Sequence, residues 1–394
     1  MKTSSRDRGE SRWPDLPEEL LAEICKLLTW TDSVRLRGIC QSWRNSIPSI
    51  LGNPPRFPLQ LPYPMSDYNH SSRRQPPSAN LTLTLLQSTT YIFHPNPRRL
   101  SDPDSSDSDC WFVTAQERWE PTGLKVRLLN PITQQQLKGF SGKSMDFRDC
   151  CCVTEAFRTY TQNEEKVSGI QGKAKRVIIY PEPGSGCAWK EDYLVLAISG
   201  NGRLGYLRFG DKNWIPINGD FRYYDDITIY RGKLYVVDQW GLLSMINSSM
   251  KPIKVAAPVY EDDRKYLAVS LGDLYLIDMT VKFPKVIEIR VYKLNEEEHD
   301  WDRVKSIGDR MLFVGVEGAF FLSAHILRGG LKGNCIYFAL ESRKIVTLIR
   351  EGPEDLDVQR IGVFNLEDGS ITDLTSFPGY SKIFWPPPPW IRLD

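Results

Sequence analysis

The sequence predicts an α+β multidomain chain: a small all-α helical unit at the N-terminus, then an all-β, propeller-like domain of six or seven blades. Three observations carry this expectation. Apolar residues recur every three or four positions between Leu16 and Trp43, the spacing of one helical face. Prolines crowd residues 51–80. Beyond residue 80, short strands and turns return with a period of 40 residues, as in propeller blades.

Residues 1–12 are charged and lack an apolar run, and they are expected to be a disordered N-terminus. Over 13–50, Asp15 and Glu18 stand at capping-box spacing, with Pro17 between them. Proline suits a first helical turn, where its missing N–H is not needed. Leu16, Leu20, Ile24, Leu27 and Leu28 form one apolar stripe. Thr29 to Asp32 interrupts it and supplies new N-cap side chains. Val34, Leu36, Ile39, Cys40 and Trp43 continue the pattern to Pro48. A unit of about 40 residues rarely buries enough surface to stand alone, and this one has no metal or disulfide pattern to help. Its apolar stripe therefore calls for a partner surface. Residues 51–80 hold Pro54, Pro55, Pro58, Pro62, Pro64, Pro76 and Pro77, a density unsuited to helix or central strand and read as a linker.

Residues 81–394 carry the repeat. Gly232-Lys-Leu-Tyr235-Val-Val-Asp238 returns as Gly272-Asp-Leu-Tyr275-Leu-Ile-Asp278. Related strand-then-turn runs occur at Tyr193, Ile336 and Val363, and Trp214 and Trp301 each follow a strand. A pair of β-sandwiches is the competing reading of the same pattern.

The chain has 394 residues, 50 Lys+Arg, 49 Asp+Glu and a formal net charge of +1. That balance speaks against bulk nucleic-acid binding. No apolar run reaches the ~18 residues of a spanning helix, and no secretory signal is visible. The expected location is nucleus or cytoplasm, with no membrane partner. Eight cysteines form no C-x-x-C pair, and the four histidines are scattered. No metal or other cofactor is expected. Cys150-Cys151-Cys152 is read as strand thiols pointing alternately to opposite faces.

Several motifs reduce to local structure. Gly200-Asn-Gly202-Arg-Leu-Gly205 matches a dinucleotide fingerprint, yet an alternating strand follows instead of a helix, so a hairpin is expected. Gly142-Lys143-Ser144 lacks the glycine a phosphate loop requires. Asp225-Asp226 and Asp262-Asp263 are read as solvated turn acids. Asn69, Asn80 and Asn247 head glycosylation sequons that are silent without secretion. The acidic serine run 101–109 is read as a solvated loop whose chemistry would suit phosphorylation.

Residues 13–48 resemble an F-box. The carrying residues are Leu16-Pro17, Leu20, Ile24, Leu28, Asp32, then Ile39-Cys40-Gln-Ser-Trp43-Arg44. Gly38 is a mild departure, costing roughly 1 kcal/mol of helix propensity. Most of 80–390 resembles the KIB-type β-propeller of plants. Leu128-Leu-Asn-Pro-Ile-Thr133, Tyr224 to Tyr235, Tyr266-Leu-Ala-Val-Ser, Trp301, Gly308 to Phe313, Asn334 to Phe338 and Pro388-Pro-Trp390-Ile carry it.

The resemblance implies a non-catalytic substrate receptor of an SCF-type ubiquitin ligase. Its F-box would dock on a Skp-type adaptor, and through it on cullin and a RING protein. Its propeller would hold a target protein. Leu16, Pro17, Leu20, Ile24, Leu28, Ile39, Cys40, Trp43 and Arg44 are the implied adaptor-binding residues. Trp43 is the expected interface anchor, with packing inside the helical unit as its alternative. The competing functions are an interaction or regulatory protein outside a ligase, a nucleic-acid regulator, and an enzyme with its site at the propeller channel.

Overall fold

The computed structural model describes Leu20 and residues 57–62, 82–95, 110–120, 123–137, 145–146, 150–162, 174–180, 193–208, 210–217, 223–260, 264–282, 285–326, 331–339, 361–376, 384, 387–388 and 390–393. The chain divides into two compact units. One comprises Met1–Arg56, Ile179–Val195 and Leu207–Asp211; the other comprises Phe57–Ile178, Leu196–Tyr206 and Lys212–Asp394. In the first unit, Arg208 and Asp211 close a turn: the Asp211 carboxylate accepts from the Arg208 amide at 3.1 Å, and the Asp211 amide donates to the Arg208 carbonyl at 3.0 Å.

The described residues form five large sheets and a short 3-10 turn at Leu374–Ser376, with helical residues at Leu20 and Phe384 alone. Blade I holds β1 (Leu59–Pro62), β2 (Thr82–Pro95), β3 (Trp111–Glu120) and β4 (Gly123–Leu129); after β5 (Met145–Asp146), β6 (Cys150–Gln162) returns to pair with β2. Blade II is β7 (Ala174–Tyr180), β8 (Leu194–Ser199), β9 (Leu204–Arg208) and β10 (Ile215–Pro216). Blade III is β11 (Tyr224–Tyr230), β12 (Lys233–Asp238), β13 (Leu243–Ile246) and β14 (Pro252–Ala256). Blade IV is β15 (Arg264–Ser270), β16 (Asp273–Lys282), β17 (Lys285–Asn295) and β18 (Asp300–Val304). Blade V is β19 (Arg310–Gly315), β20 (Gly318–Ser323), β21 (Cys335–Ala339), β22 (Ile361–Asn365) and β23 (Ile371–Asp373), and β24 (Arg392–Leu393) pairs with β5.

This corrects the expected fold class. Among the described residues the propeller has five blades, not six or seven, and its sheets make an all-β architecture rather than the expected α+β one. The helical unit expected over 13–50 lies outside the described residues except for Leu20, which is helical. The blade count failed because the period of 40 belongs to the junction of blades III and IV, whose inner strands start at Tyr224 and Arg264. Blades I and V are longer and wound differently. In blade I the edge strand is the last in sequence, β6; in blade V it is β20, and β21 runs parallel to β19.

The repeated glycines explain themselves. Arg231-Gly232 and Leu271-Gly272 are two-residue hairpin loops with φ of 47° and 70°, and 52° and 80°. Two consecutive left-handed residues match the right-handed twist of the flanking strands. Gly202, with φ of 79°, turns the hairpin between β8 and β9, so the dinucleotide-like motif is a hairpin as expected. Leu59–Pro62, inside the proline-rich stretch, pairs with β2, and Phe57 stacks on Tyr160 with centroids 5.4 Å apart.

Apolar clusters cement neighbouring blades. Tyr235, Val237, Leu267, Leu276 and Trp301 join blades III and IV. Ile277, Val291, Leu312, Ile336 and Phe338 join IV and V. Ile92, Phe112, Phe313, Phe320 and Tyr337 join V to I and close the circle. The C-terminal segment returns to blade I, where Trp390 and Ile391 pack on Trp111, whose indole N–H donates to the Phe384 carbonyl at 3.1 Å. Trp214 and Trp301 act alike, donating to the Pro62 carbonyl at 2.8 Å and the Gly241 carbonyl at 3.1 Å of another blade.

Phe112 lies at the closing junction and is fully buried. Its truncation to alanine is expected to cost about 3–5 kcal/mol in chemical denaturation, whereas Val126→Ala, on an exposed strand, should stay within about 0.5 kcal/mol.

Candidate functional site

Two features of the propeller stand out: a polar centre where all five blades meet, and an exposed aromatic rim. The centre is built on Arg176 of β7. Its Nε lies 3.1 Å from Asp226 Oδ1 on β11. Its guanidinium also donates to the Glu317 carbonyl, just before β20, and to Thr159 Oγ1 on β6 at 3.4 Å. Asp226 completes the set: Oδ1 accepts from its neighbour Ile227 at 2.8 Å, and Oδ2 accepts from the Leu267 amide on β15 at 2.8 Å. Blades I, II, III, IV and V thus each contribute one group. Burial pushes the Asp226 carboxyl up, against the lowering pull of Arg176 and of the two amides. Phe157 lies under the guanidinium, 5.6 Å from ring centroid to the charge.

Gly318 is where this centre demands a glycine. Its φ is 135°, and a Cβ there would stand 2.6 Å from the Arg176 guanidinium nitrogen. The backbone of blade V must come this close for the Glu317 carbonyl to meet the arginine.

Asp225 forms an outer layer, 2.5 Å from Lys175 Nζ and accepting from the Lys265 amide at 3.0 Å. The reading of Asp225-Asp226 as solvated turn acids is therefore corrected. Both lie on β11, and Asp226 is 2% exposed. The spacing Lys175-Arg176 to Asp225-Asp226 held the signal, since two adjacent cations answer two adjacent acids. Nothing in one sequence shows that the strands carrying them are neighbours. Asp262-Asp263 and the acidic run 101–109 lie outside the described residues.

The repeated aspartates diverge in use. Asp238 Oδ1 accepts from the amides of Trp240 at 3.0 Å and Leu242 at 2.9 Å, fixing the turn between β12 and β13. Asp278 instead meets Lys265 Nζ at 2.6 Å, with both side chains fully buried. The cross-strand partner decides: Tyr224 faces Asp238, and Lys265 faces Asp278. These carboxylates are committed to amides and cations of the scaffold. Among the described residues no group of three or more His, Cys, Asp or Glu is arranged to hold a metal.

The turn fixed by Asp238 carries the aromatic rim. Trp240, Tyr223 and Tyr260 are exposed. Their backbones are tied together: the Gln239 amide donates to the Tyr223 carbonyl at 2.9 Å, and the Tyr260 amide to the Trp240 carbonyl at 2.9 Å. Large aromatics held on a rigid backbone at low entropic cost are the residues that dominate protein interfaces. Sequence reasoning missed this rim, because an exposed Trp and a core Trp look alike in one sequence.

Of the expected adaptor-binding residues, Leu20 is described and is exposed. Leu16, Pro17, Ile24, Leu28, Ile39, Cys40, Trp43 and Arg44 lie outside the described residues.

Five blades around a centre of paired charges define a β-propeller. Residues 85–365 match the KIB1-4 beta-propeller model, and the chain belongs to that family. Among its relatives in Arabidopsis thaliana are the F-box protein SKIP23, 27% identical over 96% of this chain and 95% of that protein, and the F-box protein At2g17036, 25% identical over 97% and 95%. Porphyromonas gingivalis dipeptidyl peptidase 4 aligns at 10% identity over 70% of this chain and 36% of that one, with a TM-score of 0.25.

The buried pair makes a test of the scaffold. Lys265→Met strands the Asp278 charge in the interior and should cost about 3–5 kcal/mol, while Lys265→Met/Asp278→Leu should recover most of it. Denaturation of wild type and the two variants reads the difference directly.

Proposed function

We propose that the protein is a substrate-recognition subunit of an SCF-type ubiquitin ligase. The observation that carries the reading is the match to F-box proteins over nearly the whole length of both chains. It is joined here to the F-box-like run from Leu16-Pro17 to Trp43-Arg44. In this reading residues 13–50 dock on a Skp-type adaptor, which joins cullin and a RING protein. Leu16, Pro17, Leu20, Ile24, Leu28, Ile39, Cys40, Trp43 and Arg44 form the contact. The propeller holds the target, with Trp240, Tyr260 and Tyr223 as its anchors.

Such a receptor does no bond chemistry. It raises the concentration of a target lysine near the ubiquitin-loaded enzyme, so its contribution is effective molarity and orientation. A rigid ring serves this purpose, because slack between target and ligase dilutes the tethering effect. The site of action is nucleus or cytoplasm.

Pull-down of the full-length chain with a plant Skp-type adaptor tests the reading. Wild type should bind; Leu16→Ala/Pro17→Ala should lose binding while its circular dichroism is unchanged; Trp240→Ala/Tyr260→Ala should bind the adaptor like wild type. Failure of folded wild type to bind would remove the ligase role.

A further inference from the structure

We propose that Cys110 and His94 form an activated thiol site at which hydroperoxides oxidise the Cys110 sulfur. Cys110 Sγ lies 3.2 Å from His94 Nδ1, and His94 Nε2 lies 3.3 Å from Thr154 Oγ1. The three side chains come from separate parts of blade I: His94 from the end of β2, Thr154 from β6, and Cys110 from the residue before β3. The ladder sets Thr154 opposite Ile92 and Cys152 opposite His94. Hydrogen-bonding both ring nitrogens fixes the imidazole. With Nε2–H donating to the threonine hydroxyl, Nδ1 offers its lone pair to the thiol. The Cys110 thiol also stands 3.4 Å from the Ile326 carbonyl, to which it can donate.

This is the arrangement of a nucleophile, a base and a group that orients the base. The thiolate is the reactive form of cysteine, and the imidazole stands where it can take the thiol proton. Cys335 supplies the contrast within the same apolar cluster. Its exposure, 4%, matches the 3% of Cys110, but burial pushes its thiol up, and among the described residues no histidine hydrogen-bonds to it. Burial alone therefore does not distinguish the two thiols; the histidine does.

The oxidation balances without further reagents. His94 Nδ1 takes the Cys110 proton, and the thiolate attacks one peroxide oxygen. An S–O bond forms as the O–O bond breaks. Sulfur gives up two electrons and the peroxide gains them. The departing hydroxide or alkoxide takes the proton from His94 and leaves as water or alcohol. Cys110 is left as a sulfenic acid, which thiols reduce. In the proposed reaction a small hydroperoxide must reach the 3% exposed sulfur past the half-buried His94 ring. The added oxygen enters the apolar cluster that joins blades V and I, a place where an unmatched polar atom is unfavourable.

Full-length protein treated with hydrogen peroxide in the presence of dimedone, followed by peptide mass spectrometry, tests the proposal. Cys110 should be labelled at least about tenfold faster than Cys335, from the higher thiolate fraction. His94→Gln should remove that advantage, and Cys152→Ser should leave it intact. Thr154→Val should reduce both the labelling rate and the thiolate absorbance near 240 nm that Cys110→Ser removes. Equal labelling of Cys110 and Cys335 in wild type would overturn the proposal, whether or not the His94 variant folds. An unchanged Cys110 rate in folded His94→Gln would overturn it as well.

Discussion

Five strands from five blades have no covalent reason to stay together, and in this propeller one ion pair collects them. Arg176 faces Asp226 at 3.1 Å, and between them they reach β6, the turn before β20, and the Leu267 amide of β15. The guanidinium suits the task because its donors form a rigid planar fork that can meet several acceptors at once. A lysine would supply charge without that geometry. The cost is burial of both charges, and the amides of Ile227 and Leu267 offset it by satisfying the carboxylate. A buried pair of this kind is weak evidence for net stability. Its effect is on arrangement: it admits one relative placement of the inner strands.

Around that centre, the apolar clusters supply most of the driving force, and they depend on blade faces meeting in a fixed register. Each sheet has an apolar face that must be buried against another element, and here that element is the next blade. Trp214 and Trp301 repeat a single device, an indole N–H donated to a backbone carbonyl of another blade. The positive φ of Arg231 and Leu271 is set by their place in two-residue hairpin turns. The rigidity of the scaffold in turn fixes the rim of Tyr223, Trp240 and Tyr260, whose backbones join the same hydrogen-bonded frame. Under the proposed receptor role, a target held there moves with the ring as a whole.

Much of the propeller was legible in the sequence and some was not, for identifiable reasons. The hairpin glycines Gly232 and Gly272, the strand character of Cys150–Cys152 and the hairpin at Gly202 follow from local chemistry, and local chemistry is written in consecutive residues. The F-box and KIB-type resemblance pointed to the family on spaced motifs. The blade number was not legible, because blades I and V draw their inner strands out of chain order and spoil the simple period. Asp226 was misread for a related reason. Its partners Arg176 and Leu267 are 50 and 41 residues away, and only the closed ring brings them to it. Asp238 and Asp278 occupy the same repeat position yet differ in role through the residue across the ladder, Tyr224 or Lys265.

The most direct test of the central ion pair is native-state hydrogen exchange at the Ile227 and Leu267 amides, compared between wild type and Asp226→Asn. If the carboxylate ties the blades together, both amides exchange only by global unfolding in wild type. In Asp226→Asn the Leu267 amide should lose protection before the strand amides around it. Fast exchange of Leu267 in wild type, or unchanged protection in the variant, would contradict the account.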